Sequence, residues 1–268
     1  MNSRDREGEA AAVLRDCRAA LAARGSTVVR EATGIDGLDL PAWRHYPEGE
    51  VYDPATHVQY FYHRHPRSNG SAATEAAEHG HFHLFLRGEA VPAGTRPLLL
   101  PEAAVANAPA NSPVPRQSAP LKRGGRDEVC HLVAIAVDPA GEPTRLFTTN
   151  RWVTGETWYR ADDVIAMLDR FRIATGEPSA LLNRWLEALV RLFQPEIAVL
   201  LRNRDQAVME WRWRWPRRNA FEDTRLEIAS SFAIDLEARL AAVEARGQAS
   251  ARRRRQNSLP SMAEGWGA

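Results

Sequence analysis

The chain has 268 residues, 44% of them hydrophobic and 26% charged, and a formal net charge of +1. That is enough chain for a sizeable core, and so small a net charge gives no overall electrostatic reason to expect nucleic acid or an anionic membrane as partner. No apolar run approaches the roughly 20 residues of a spanning helix, and two cysteines, Cys17 and Cys130, do not make a disulfide framework.

In chain order, Ala10, Val13, Leu14, Cys17 and Leu21 recur at helical spacing and predict an amphipathic N-terminal helix stopped near Gly25. The charged segment Met1 to Glu9 lacks the apolar stretch of a secretory signal, so a cytoplasmic location is the expectation. Aromatic and β-branched residues among Pro and Gly follow from Leu38 to Tyr52. Val58 to His65 and His79 to Arg87 then read as strands. From about residue 91 to 126 the composition turns to Pro, Ala, Ser and Asn without periodicity, as in an insertion.

Cys130 to Val137 is apolar on both faces, as a central strand is. Asp138-Pro139-Ala140-Gly141 supplies turn chemistry, and Thr144 to Asn150 reads as the returning strand. Helices are predicted over Asp162 to Phe171, over Ser179 to Phe193, and from Pro195 toward Trp211. Leu226 to Ile234 alternates as a strand, and a last helix runs through Ala245. The expected architecture is therefore α+β: a mainly antiparallel sheet from the central region, flanked by an N-terminal helix and several C-terminal helices. Residues 1–247 read as one domain carrying the insertion, and 248–268 as a disordered basic tail.

All eight histidines lie between residues 45 and 131, and five fall in two short clusters. Residues two apart on a strand share a face. His79, His81 and His83 therefore form one row, and His63 and His65 belong to another with His57, Gln59 and Phe61. If the two strands pair, opposed residues have Cβ atoms about 4.5–5.5 Å apart, and imidazoles at that spacing can converge on one metal ion. His63, His65, His79, His81 and His83 are thus the candidate ligands of a divalent transition metal: Zn, Fe, Cu, Ni or Mn. Glu78 would face away, while Glu75, Glu89 and Glu156 are possible carboxylates from adjoining loops. Three protein ligands with an open position support hydrolytic or oxidative chemistry on a small molecule. His131, in an apolar strand, reads instead as a satisfied core histidine.

Asn150 to Tyr159 mixes polar and aromatic residues at a strand–helix junction. There Glu156 is the candidate for acid–base work, and Arg151 for holding an anionic group. Trp211-Arg212-Trp213-Arg214-Trp215, followed by Arg217 and Arg218, offers the alternative of a non-catalytic binding or scaffold protein. Stacking on nucleic-acid bases would require the Arg residues of 202–218 to form one exposed stripe.

His81-Phe82-His83 resembles the H-x-H of cupins, and Pro92-Ala93-Gly94 the P-x-G turn of their second motif. However, Glu89 comes late for that pattern and no His follows Gly94 in place, so the activity of cupins is not carried over. The runs Gln59 to His65, Glu78 to His83 and Leu146 to Glu156 resemble a bacterial family catalogued as a domain of unknown function. That resemblance spans roughly Trp43 to Leu240, apart from the Pro-rich insertion, and implies no activity, cofactor or site.

Overall fold

Six strands build one open antiparallel sheet in sequence order: β1 (Tyr46–Asp53), β2 (Val58–His63), β3 (Gly80–Arg87), β4 (Val129–Val137), β5 (Pro143–Thr149) and β6 (Ile228–Ala233). The computed structural model describes residues 3–35, 39–64, 78–98 and 128–257. Seven α-helices occur among them: α1 (Ser3–Ala23), α2 (Val28–Thr33), α3 (Arg151–Thr154), α4 (Ala161–Met167), α5 (Ala180–Leu192), α6 (Gln194–Arg214) and α7 (Leu236–Asn257). The fold is α+β. Its sheet has two distinct edges, β1 and β6, so the cupin-like H-x-H strand does not sit in a closed barrel.

Local chemistry accounts for the turns. Asp53 closes the β1–β2 corner by accepting from the backbone N–H groups of Ala55 and Thr56 at 2.9 and 3.3 Å, and His57 takes the left-handed conformation that ends the turn. Asp138 does the same between β4 and β5, accepting from Ala140 at 2.8 Å and Glu142 at 2.9 Å, with Gly141 at a φ of 84°. At the helices, Ser179 caps α5 and Pro195 occupies the first turn of α6, where its missing N–H costs nothing.

One face of the sheet carries the main core. Tyr60, Tyr62, Phe82, Leu84, Val133, Ile135, Val137 and Leu146 pack there under the helices. Trp185 of α5 meets Phe82 at 6.1 Å between rings, Tyr60 donates its hydroxyl to Asn183 of α5, and Ser230 of β6 donates to the Leu200 carbonyl of α6 at 2.8 Å. Across this layer, α1 packs against α5 and α7. Its buried stripe is Ala10, Ala11, Leu14, Cys17 and Leu21, the face expected from the spacing except that Ala11 is more deeply buried than Val13. The opposite face of the sheet carries His63, His81 and His83, and Ala134, Ala136, Phe147 and Ile228 form a separate cluster there.

Several boundaries differ from the sequence reading, two of them with consequences. β3 begins at Gly80 rather than His79, and α7 continues past Gln248 to Asn257, where a disordered tail was expected. The run Gln248 to Asn257 is rich in Ala, Arg and Gln, all good helix formers that continue an established helix at little cost. Most of the Pro-rich insertion and the last residues of the tail lie outside the described residues.

Gly80 has a packing reason to be glycine. A Cβ there would lie 2.4 Å from the Tyr62 hydroxyl and 2.5 Å from the His63 carbonyl oxygen, contacts no side chain tolerates. Gly80→Ala is expected to cost about 1–3 kcal/mol in urea unfolding, because the clash falls on backbone as well as side chain. An unchanged midpoint would show that β2 and β3 are not held so closely.

Candidate metal centre

β2 and β3 pair in a register that opposes Phe61 to His83 and His63 to His81. Strand alternation then puts His63, His81 and His83 on the face away from the helices. Their ring centroids lie 4.5 Å (His63–His81), 4.8 Å (His81–His83) and 5.2 Å (His63–His83) apart. One ligand nitrogen from each falls within 4.8 Å of the others. All three side chains are buried, at 2–8% exposure. No carboxylate joins the group among the described residues.

The His63 and His81 Nε2 atoms are 2.7 Å apart, close enough to share one proton in a hydrogen bond. Zinc–imidazole bonds of about 2.0–2.1 Å in a tetrahedron place ligand nitrogens about 3.3 Å apart. An ion would therefore displace that proton and part the two rings by a few tenths of an ångström.

Aromatic rings line the centre. Phe61 lies 5.2 Å from His83 and 5.5 Å from His63, and Phe147 lies 5.1 Å from His81. Trp43 sits edge-on to His63 at 6.5 Å. His45, which the sequence reading did not single out, stacks on Phe61 at 3.7 Å and hydrogen-bonds Glu50 through Nδ1 at 2.7 Å. A low-dielectric surround of this kind strengthens any charge interaction at the centre.

The remaining expected residues fall elsewhere. His79 precedes the strand, so the alternation does not bind it, and its Nδ1 meets the Tyr62 hydroxyl at 2.6 Å, apart from the three. His65 and Glu75 lie outside the described residues. Glu78 is held by Arg145 in a two-pronged ion pair at 2.6 and 2.7 Å, and Glu89 is exposed.

Glu156 is fully buried. Its Oε2 accepts from the His131 backbone N–H at 3.0 Å and its Oε1 from the Thr154 hydroxyl at 3.3 Å. Burial pushes its carboxyl up to about 7, against the opposing pull of Arg204. His131 is buried too, which drives its imidazole down to about 3, so the ring is neutral at any physiological pH. Its Nε2 lies 3.1 Å from Nδ1 of His83.

The Trp- and Arg-rich segment is divided between packing and exposure. Trp211 donates to Asp223 at 3.0 Å, and the Arg225 guanidinium lies over the rings of Trp211 and Trp215 at 5.3 and 4.4 Å. Trp213 is 84% exposed. Arg204 is withdrawn from any surface stripe, buried over the Trp158 ring at 4.0 Å, and Arg202 pairs with Asp162 at 3.1 Å.

Among the described residues no helix is long and apolar enough to cross a membrane. No curated protein and no solved structure matches the chain. A family model does match, over residues 8–234, a span that takes in all six strands and the three converging histidines. The chain belongs to the DUF6969 family, a domain of unknown function.

Proposed function

We propose that this chain is a metal-binding protein in which His63, His81 and His83 hold one divalent transition ion (Zn, Fe, Cu, Ni or Mn). The convergence of one nitrogen from each ring to within 4.8 Å carries the reading. Three neutral imidazoles leave the ion its full double charge and at least one open coordination position. That combination acidifies a bound water, so hydrolysis of a small molecule is the use we favour, and oxidative chemistry the alternative if the resident ion is redox-active. Placing the ligands on two adjacent strands of a sheet supports it further, because the rings start close together and ordering them costs little entropy.

The test is metal content by mass spectrometry on untagged protein purified without added metal or chelator. About one ion per chain is expected, and its identity separates hydrolytic from redox chemistry. Protein that arrives empty and takes up none of the five metals on titration would end the metal-binding reading.

A further inference from the structure

In an unbroken strand His131 would share a face with Val133, Ile135 and Val137 and point into the helix-covered core. The pairing of β3 with β4 is broken at one place: Leu84 faces Val133, yet the next residue, Phe85, faces His131. Leu132 is the extra residue of a β-bulge, and both it and Val133 are buried in the main core. The bulge turns His131 to the other face, where its ring lies 5.1 Å from those of His83 and Phe85. The backbone N–H at the bulge is taken by the buried Glu156 carboxylate at 3.0 Å.

We infer, on the strength of the metal-site reading above, that His131 is the outer partner of the ligand His83 and that the Glu156-clasped bulge is the device that puts it there. The two nitrogens of an imidazole point to opposite sides of the ring. With His83 Nδ1 at 3.1 Å from His131 Nε2, a metal ion shared with His63 and His81 would be bound through Nε2 of His83. A nitrogen that ligates a cation must offer its lone pair, so the proton of His83 belongs on Nδ1, donated to His131. His131 does not touch the ion: it is a positioning residue that sets the tautomer and angle of one ligand, and Glu156 acts one step further out, through the backbone.

Zinc titration against a chromophoric chelator, with cobalt(II) as a spectroscopic substitute, tests this on wild type, His131→Leu and His131→Gln. Leucine is expected to weaken zinc about 10–100-fold while one equivalent still binds, and to alter the visible cobalt spectrum. Glutamine, which can still accept from His83, is expected to restore most of the affinity. In zinc-loaded wild type, long-range proton–nitrogen NMR correlations should find His83 protonated on Nδ1 and metal-bound through Nε2. Wild-type affinity and spectrum in a folded leucine variant, or metal on Nδ1 of His83, overturns the positioning role and leaves the metal site standing. The NMR result decides even if the leucine variant does not fold. Failure of wild type to take up zinc, cobalt, iron, copper, nickel or manganese removes the metal-site reading and this role with it.

Discussion

Zinc at about 1,000 times its dissociation constant is expected to stabilise the chain by about 4 kcal/mol, because an ion that binds only the folded state adds RT ln(1 + [L]/Kd) to its stability. For a protein of this size each kcal/mol moves the midpoint by about 2–4 °C, so melting should rise by about 8–16 °C. The double variant His81→Ala, His83→Ala removes two of the three converging ligands. Its own midpoint will fall, since two buried rings leave a cavity beside Phe61 and Phe147. The decisive quantity is therefore the increment on adding zinc, which should disappear in the variant. An equal increment in both proteins would place the ion elsewhere and sink the three-histidine assignment.

Glu156→Gln is expected to stabilise the protein at alkaline pH and to do little below pH 5. Burial raises the Glu156 carboxyl from 4.5 to about 7 in the folded state. A raised carboxyl contributes its full stability below the unfolded value of 4.5, and that contribution is lost as pH climbs through about 7. At 1.36 kcal/mol per unit, the folded state gives up about 3 kcal/mol across that window. Glutamine does not titrate and still presents an oxygen to the His131 N–H. Urea unfolding at pH 5 and pH 8.5 should therefore show the variant gaining on wild type by about 2–3 kcal/mol between the two. A pH-independent difference would mean that Glu156 is ionised throughout, balanced by Arg204.

Several parts of this molecule follow from local pattern alone. The rows containing His63, His81 and His83 were legible because a strand alternates with a period of two, so an H-x-H run has both histidines on one face wherever the strand lies. The Asp138–Gly141 turn, the start of α6 at Pro195 and the stripe on α1 were legible for the same reason: backbone chemistry within a few residues decides each of them.

The pairing of β2 with β3 could be expected but not read, since register depends on which residues meet across the sheet. Three further outcomes were out of reach of the sequence. His79 looks like a third member of its row, but the strand starts one residue later and the ring turns to Tyr62. Glu156 looks like an acid–base group at a junction, and the structure shows it accepting the backbone N–H of His131, beside the bulge.

The bulge is the deepest of these. Cys130 to Val137 is apolar whichever face each residue takes, so nothing in the run marks Leu132 as the extra residue. By itself the sequence determined an α+β fold with a histidine-bearing strand pair, because period and turn chemistry are local. Only the tertiary structure decided that His131 stands behind His83, because a slip of one residue in a sheet is chosen by the packing on both of its faces.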